Sequence, residues 1–198
     1  MSGSSAKLYY IRHGQTDWNA ELRFQGQLDI PLNDFGRGQA KENGKKLHEK
    51  IGEAKGYEFI SSPLFRTRET MEIVRTAMGL EPSDYKIDKR LIEISYGDFE
   101  GNTKADLKAA NRELFLSRKD DAWNFKPNNG ESQAEALVRI SEWYESLDAS
   151  KTYVITAHGA VGRVLRIYLL GLNKQDAATF VFPQDEVFEI TKGSEIRF

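Results

Sequence analysis

The chain has 198 residues, of which 39% are hydrophobic and 29% charged, and it contains no cysteine. This composition is typical of a globular domain and excludes collagen-like, low-complexity and strongly disordered chains. The 28 basic and 30 acidic side chains give a formal charge of −2, so nothing attracts the whole molecule to nucleic acid or anionic lipid. The lack of cysteine excludes disulfides, thiolate metal sites and cysteine nucleophiles.

The length predicts a single domain over residues 1–198, with residues 1–6 disordered. The first six residues lack the apolar core of a signal peptide, and no run of apolar residues approaches membrane-spanning length. We therefore expect a cytoplasmic protein with neither membrane nor nucleic acid as a partner. The sequence leaves the oligomeric state open.

Strand-like and helix-like segments alternate along the chain. Short apolar runs such as residues 8–11 are typical of strands that are covered on both faces. The predicted strands cover residues 8–11, 57–60, 85–88, 151–156, 179–182, 187–191 and 195–198. The predicted helices cover residues 34–51, 63–78, 104–116, 133–147 and 160–170, and the rest of 97–129 has no clear pattern.

Several of these boundaries carry a specific signal. Asn33 is a suitable N-cap for the helix over 34–51, and Ser62 followed by Pro63 resembles an N-cap with proline at the first helical position. Ser132 and Glu135 have the spacing of a capping box. The order βαβα predicts a three-layer α/β sandwich, with a mostly parallel central sheet and helices on both faces.

Reactive side chains follow the predicted strands. Arg12 and His13 come directly after the first strand, Arg66 lies in the first turn of the helix after the second, and His158 follows the strand over 151–156. Ligands of open α/β sheets lie outside the carboxyl ends of the strands, beside helix N-termini. These residues are therefore expected to converge, whereas His48 lies mid-helix among lysines and is expected to be solvated.

Such a cluster suits phosphoryl transfer. Two arginines provide planar cationic forks for phosphate oxygens, and helix N-termini add backbone donors. A neutral imidazole in line with phosphorus is a competent nucleophile, and the reaction needs little beyond alignment and charge neutralisation. Glu93 is a candidate acid for the departing alcohol.

The chain also resembles a known family through a series of short blocks in the same order. These blocks are LYYIRHGQT (8–16), WN (18–19), FQG (24–26), PL (31–32), SSPLFRT (61–67), LIEI (91–94), GDFEG (97–101), GES (130–132) and VITAHG (154–159). They resemble the histidine phosphatase superfamily, whose fold is that of phosphoglycerate mutase. An Arg-His-Gly triplet alone is weak, but the ordered set is specific and covers nearly the whole chain.

The resemblance implies a role for each matching residue. His13 would be the nucleophile, and Glu93 would protonate the leaving group and then accept a proton from water. The groups that hold the phosphoryl or the substrate would be Arg12, Arg66, His158, Asn19, Gln25, Gly26 and Ser132. The family uses neither a metal nor a cofactor.

Several of these residues also have a structural alternative. Arg66 could pair with Glu69 or Glu72 along its helix, and Glu93 could be structural because Glu100 is near. Asn19 could merely organise its loop. The capping box explains Ser132 without any ligand.

Four functions remain in competition. The leading one is a metal-independent phosphomonoesterase that hydrolyses a small phosphorylated metabolite through phosphohistidine at His13. A mutase would use the same intermediate, but the segment from Glu93 to Gly130 is short and lacks the adjacent arginine pair that such mutases carry. A non-catalytic phosphate-binding module is a third alternative. A metal hydrolase built on His13 and His158 is the least favoured, because arginines surround the histidines and no carboxylate cluster accompanies them.

The sequence does not identify the substrate, beyond the small-molecule phosphate ester that the family resemblance implies. Specificity is expected in Arg23, Phe24, Gln25 and the segment over 97–129, whose conformation the pattern does not predict.

Overall fold

The computed structural model describes residues 5–198 and is built on a six-stranded sheet. The strands are β1 (Lys7–Arg12), β2 (Glu58–Ser61), β3 (Lys86–Ile87), β4 (Thr152–Ala157), β5 (Val187–Thr191) and β6 (Ser194–Arg197). Their order in the sheet is β3-β2-β4-β1-β5-β6. The first four strands pair in parallel, and β5 and β6 add antiparallel pairs at one side. The prediction of a mostly parallel sheet is thus confirmed.

Helices connect these strands and cover both faces of the sheet. They are α1 (Asp17–Ala20), α2 (Asp34–Ile51), α3 (Phe65–Ala77), α4 (Lys104–Ala110), α5 (Arg112–Asp120), α6 (Gln133–Glu145), α7 (Gly159–Leu170) and α8 (Lys174–Ala178), with 3₁₀ turns at Lys89–Leu91 and Gly97–Phe99. The predicted helix over 34–51 has the observed bounds, and the Asn33 side chain accepts from the Gly36 amide at 2.9 Å. The capping box of Ser132 and Glu135 is also present.

Two apolar layers separate the helices from the sheet. Along β1, Leu8 and Tyr10 pack toward one layer while Tyr9 and Ile11 pack toward the other, as the two-residue period of a strand requires. The first layer is shared with α6 and α7, and the second with α2 and α3. The three-layer sandwich therefore follows from strands that are apolar on both faces.

The prediction of a strand over 179–182 is wrong. This segment follows α8 as irregular chain, and its backbone bonds to side chains rather than to a neighbouring strand. The carbonyl of Phe180 accepts from Arg163 at 3.1 Å and that of Phe182 from Arg12 at 2.6 Å. Alternating apolar residues here therefore indicate anchoring in the core, not a sheet ladder.

Two helix predictions need correction. The predicted helix over 104–116 is divided at Asn111, whose extended backbone (φ −152°) ends α4 and whose side chain caps α5 by accepting from the Leu114 amide. Helix α3 begins at Phe65 rather than after Ser62. Its first amide, that of Phe65, donates to the Asp29 carboxylate at 2.8 Å, so the cap comes from a distant loop.

The N-terminal end differs partly from expectation. Residues 1–4 lie outside the described residues. Ala6 was expected to be disordered, but it is fully buried in the core and its carbonyl accepts from the Tyr144 hydroxyl at 3.0 Å. Over residues 5–198, no helix combines the length and apolar character needed to cross a bilayer.

Candidate active site

The carboxyl ends of three adjacent strands carry the predicted site residues. Strand β4 lies between β2 and β1, with Arg12 of β1 opposite Ala157 of β4. The His13 amide donates to the Ala157 carbonyl at 3.0 Å, which continues the ladder one residue beyond the strand. The structure thereby places His13 beside His158, with ring centroids 5.3 Å apart.

The imidazole of His13 is held in one tautomer. Its Nδ1 lies 2.8 Å from the Gly14 carbonyl, which can only accept, so Nδ1 carries the proton and Nε2 keeps its lone pair. Burial, together with the cations Arg66 and Arg12, holds the pKa of His13 well below its usual 6.5. The ring is therefore neutral and has a free Nε2 at neutral pH.

Gly14 is required by packing at this turn. A Cβ at this position would lie 2.2 Å from the carbonyl oxygen of Gly36, in the first turn of α2. Only glycine lets the chain after His13 run this close to α2.

His158 is fully buried behind His13, and its carbonyl accepts from the Tyr10 hydroxyl at 2.6 Å. Its Nε2 lies 2.7 Å from the Ser62 hydroxyl, which has no other partner within residues 5–198, so the hydroxyl donates and Nδ1 carries the proton. That buried Nδ1 has no partner. Burial and the nearby Arg66 hold the pKa of His158 well below 6.5, so the ring offers an unused neutral donor.

Two arginines add positive charge at the same place. Arg66 is 1% exposed, and its two terminal nitrogens donate to the carbonyls of Leu28 and Gly26, each at 2.7 Å. Arg12 is anchored by its bond to Phe182, and burial lowers its pKa from 12.5 to about 10, which leaves it cationic at neutral pH. The Nε of each arginine is buried without a partner.

The acids that could have paired with Arg66 have other partners. Glu69 bonds to Arg37 at 2.7 Å, and Glu72 accepts from the Tyr85 hydroxyl at 2.8 Å. Within residues 5–198, neither Arg12 nor Arg66 makes an ion pair. Their charge is therefore available to an anion from outside.

The carboxyl group of Glu93 lies near these cations. Its Oε1 accepts from the Ile94 amide at 3.0 Å and its Oε2 from the Ala160 amide at 3.3 Å, at the start of α7. The neighbouring candidate Glu100 binds the amides of Gln27 and Tyr96 instead.

The orientation of the Asn19 amide is fixed by its neighbours. Its Oδ1 accepts from the Thr16 amide at 3.2 Å and from the Gln184 side chain at 3.0 Å. Gln184 also donates to the His13 carbonyl at 3.0 Å. With Oδ1 occupied, the Nδ2 hydrogens of Asn19 remain available as donors.

The remaining predicted contacts divide into two groups. The Gln25 side chain is buried, and its Oε1 has no partner. Gly26 adopts φ +53° and presents its carbonyl to Arg66. Ser132 is occupied by its capping box with Glu135 and does not line the cavity described next.

These groups surround a cavity of about 190 Å³. Its walls include every predicted site residue except His158, which lies behind His13, and Ser132. Four arginines and one glutamic acid side chain line it: Arg12, Arg23, Arg66, Arg163 and Glu93. A larger cavity of about 420 Å³ at the other end of the sheet contains none of the predicted site residues. The smaller cavity is thus strongly cationic and suited to a phosphate.

Sequence reasoning missed several groups of this site. Arg163 is four residues after Gly159 on α7, and helical spacing places both on one face; this signal could have been used. The Tyr96 hydroxyl lies 3.5 Å from Arg163. Ser62 was assigned to a helix cap and not to His158, because only the folded sheet brings the two together. Gln184 follows an irregular segment and has no sequence signal.

Of the segments expected to set specificity, residues 23–25 line the cavity, whereas no residue of 97–129 does. Arg23, Phe24 and Gln25 line its wall, and Arg118 of α5 lies over the Phe24 ring, 4.9 Å from its centroid. Most of 97–129 packs farther away. In the described part of the chain, no group of three or more His, Asp or Glu side chains is arranged to hold a metal ion.

Comparisons with known proteins point to one family. The family model of the histidine phosphatase superfamily (branch 1) matches residues 8–193. Glucosyl-3-phosphoglycerate phosphatase of Mycolicibacterium vanbaalenii is 33% identical over 177 residues, covering 84% of this chain and 75% of that protein. A 2,3-bisphosphoglycerate-dependent phosphoglycerate mutase of Bartonella henselae is 32% identical, covering 85% of this chain and 84% of the mutase.

Solved structures give the same result for the fold. Mycobacterial glucosyl-3-phosphoglycerate phosphatase in complex with VO3 superposes with a TM-score of 0.77 at 29% identity, covering 93% of this chain and 92% of that one. A putative alpha-ribazole-5'-P phosphatase from Escherichia coli has a TM-score of 0.79 at 22% identity, covering 98% and 95%. The expected superfamily and fold are confirmed, and the phosphatase interpretation is supported beside relatives that are mutases.

Proposed function

Because this chain belongs to branch 1 of the histidine phosphatase superfamily, we propose that it is a phosphomonoesterase of small phosphorylated metabolites, with His13 as the nucleophile. The observation that carries the proposal is the fixed tautomer of His13. Its Nδ1 is bound to the Gly14 carbonyl, so the neutral ring offers Nε2 in a cavity whose wall includes Arg12 and Arg66, which make no ion pair within residues 5–198. A nucleophile of this kind needs no further deprotonation before it attacks phosphorus.

In the first step, Nε2 of His13 forms a bond to phosphorus and the bond from phosphorus to the ester oxygen breaks. Glu93, protonated at this stage, gives its proton to the leaving oxygen, and the alcohol departs. Arg12 and Arg66 balance the charge on the non-bridging oxygens. The free Nδ2 of Asn19 and Nδ1 of His158 would add neutral donors.

In the second step, water attacks the phosphorus of the phosphohistidine. The Glu93 carboxylate accepts a proton from that water, the bond between phosphorus and Nε2 breaks, and inorganic phosphate leaves. His13 is again neutral and Glu93 again protonated, so the cycle closes without a metal ion or a cofactor.

A mutase is the second candidate, because mutases at about 30% identity are among the relatives. It would return the phosphoryl group to a second hydroxyl and would have to keep water out. Here the cavity shares its walls with an outer groove of about 310 Å³ that is bordered by exposed side chains. This access for water favours hydrolysis.

The test uses a chromogenic phosphate ester with EDTA present. We expect the wild type to hydrolyse it and to carry acid-labile phosphate after rapid quenching, while His13→Ala does neither. His48→Ala, which changes an exposed histidine on α2, is the matched control. Equal rates for wild type and His13→Ala would refute the phosphohistidine, and activity abolished by EDTA would favour a metal hydrolase.

A substrate panel then separates the two candidates and ranks the esters by kcat/KM. The panel includes glucosyl-3-phosphoglycerate and 2- and 3-phosphoglycerate, because relatives are named for these compounds. Release of inorganic phosphate supports the phosphatase, whereas interconversion of the phosphoglycerates supports the mutase.

We propose the cytoplasm as the compartment, since phosphorylated metabolites are charged and do not cross bilayers.

A further inference from the structure

An outer groove of about 310 Å³ adjoins the phosphoryl-binding cavity. The two share Arg12, Asn19, Arg23, Phe24 and Val181 as walls, so a molecule with its phosphate in the cavity would extend into the groove. The groove is bordered by two strongly exposed apolar side chains, Leu22 and Val181, which are 74% and 79% exposed. Neither side chain serves the proposed chemical steps.

Leu22 combines two unfavourable features at one position. It follows α1 with φ +59°, a left-handed conformation that glycine or asparagine adopts far more readily than a branched residue. Its side chain then projects into solvent and gains nothing from the core. Strain of this kind is found at functional sites, where the surrounding structure maintains it.

Val181 is held toward the same groove by its neighbours. The carbonyl of Phe180 accepts from Arg163 and that of Phe182 from Arg12, while the Phe182 ring is buried in the core. With both flanking residues anchored, the side chain of Val181 is exposed. Val181 is thus attached, through Phe182, to the arginine that faces the phosphate.

We propose that the groove binds the alcohol moiety of the phosphate ester, and that this moiety has an apolar face that contacts Leu22 and Val181. The proposal rests on the proposed function and narrows its substrate class. Arg23 also borders the groove, but it is paired with Glu21 at 2.5 Å and donates to the Gly101 carbonyl. Arg12 is assigned to the phosphate, and Lys104 is the other cation at the groove, so the alcohol should carry no positive charge.

The test compares straight-chain alkyl phosphates from methyl to butyl, measured by release of inorganic phosphate. Their alcohols have nearly the same acidity, so differences in kcat/KM report contacts with the chain and not leaving-group chemistry. Burying one methylene fully changes kcat/KM about fourfold. In a half-open groove, each added methylene should change kcat/KM about twofold. We therefore expect butyl phosphate to exceed methyl phosphate about tenfold in the wild type.

Two variants remove the proposed contacts. Leu22→Asn and Val181→Ser should each lower the butyl-to-methyl ratio at least about threefold. Val138→Ser makes the same change as Val181→Ser at an exposed valine on α6, away from the groove, and should leave the ratio unchanged. Because asparagine tolerates the left-handed region, Leu22→Asn should melt no lower than wild type. A loss of preference is then not a loss of folding.

The outcomes separate the two proposals. A butyl-to-methyl ratio near one in the wild type, or a tenfold ratio that survives both variants, would overturn the groove assignment while the phosphatase stands. If the wild type hydrolyses no ester at all, the proposed function fails first. A ratio that falls in both groove variants and not in Val138→Ser supports the assignment.

Discussion

Helix α3 carries a buried arginine near each of its ends, and the two lie at opposite ends of the sheet. Arg66, in the first turn, donates only to backbone carbonyls and makes no ion pair within residues 5–198. Arg75, in the last turn, lies 4.3 Å from the Phe59 ring centroid and 3.5 Å from the Asp84 carboxylate. Arg66 is thus buried without a counter-ion within residues 5–198, whereas Arg75 has Asp84 as its counter-ion.

The same contrast extends across the two ends of the sheet. Near the amino ends of the strands, Glu58 bridges Lys86 and Lys151, each at 2.7 Å. Near the carboxyl ends, Arg12 and Arg66 are buried although burial lowers the pKa of both. A buried charge without a partner is unfavourable for folding. The unpaired buried charge at this end supports the proposed anion site there.

The largest loss of activity is expected at Arg66, and the same substitution at Arg75 serves as its comparison. Arg66→Met removes a donor and a full charge from the phosphoryl site, and kcat/KM should fall about 10³-fold. Since Arg66 is one cause of the lowered His13 pKa, the acid limb of the kcat/KM profile should move to higher pH. Arg75→Met should change neither kcat/KM nor the acid limb of its pH profile. A loss of activity in that variant would show that the two buried arginines of α3 do not differ in function.

Glu93→Gln should give the next largest loss, and one that depends on the leaving group. An alkyl alcohol needs protonation as it departs, so kcat/KM, which reports the first step, should fall about 10³-fold for alkyl phosphates. A nitrophenolate leaves without a proton, so its ester should lose only about tenfold. Equal losses for both esters would show that Glu93 positions groups and does not transfer a proton.

Much of this arrangement was predictable because it depends on local pattern. The strands over 8–11 and 151–156 are apolar on both faces, and reactive residues follow them directly, so their convergence at one edge follows from parallel pairing. The structure also shows hydrogen-bond partners of the site residues that no sequence pattern indicates. Ser62 reaches His158 and Gln184 reaches Asn19 only through tertiary contacts.

The segment over 97–129 escaped prediction for a different physical reason. Its two helices are short, and none of the residues in α4 or α5 is buried, so no apolar periodicity marks their ends. A single side chain, Asn111, decides where one helix stops and the next begins. The sequence of residues 179–182 has the pattern of a strand, although the segment is irregular, because alternate side chains are anchored in the core.

A double-mutant cycle tests whether Gln184 orients Asn19. Gln184→Glu cannot donate to the Asn19 Oδ1, so the amide should turn and present its oxygen to the phosphate. We expect Gln184→Glu to lower kcat/KM about 30-fold, the effect of losing one hydrogen bond to a charged group. Asn19→Ala should lower kcat/KM by a similar factor. The double variant should lose little more. Losses that multiply would show that Gln184 acts separately, through the His13 carbonyl.

Its control removes a different contact to the same loop. Lys46→Met removes the bond from that side chain to the Asp185 carbonyl, next to Gln184. Activity should not change, because this contact anchors the loop on its outer side.

Stability should depend on pH through the buried histidines. The folded pKa of His13 and of His158 lies well below the unfolded value of about 6.5. The unfolded chain therefore binds more protons as pH falls below about 6.5, and stability falls by up to about 1.4 kcal/mol per pH unit for each histidine. Urea unfolding between pH 7 and 5 measures this slope. His158→Asn should reduce it by about half, whereas His48→Gln, at an exposed position, should leave it unchanged.

The smallest effect belongs to the paired end of the sheet. Glu58→Gln breaks both of its ion pairs, which at this partly exposed position are worth about 0.5 kcal/mol each, so unfolding at pH 7 should become easier by about 1 kcal/mol. The two lysines lower the pKa of Glu58, so its contribution is present above about pH 4.5 and lost as pH falls through the lowered value. Molar salt should also remove it. Glu53→Gln, which breaks the exposed pair with Lys55, should have no measurable effect, and neither variant should change kcat/KM, because charge at this end stabilises the fold without contacting substrate.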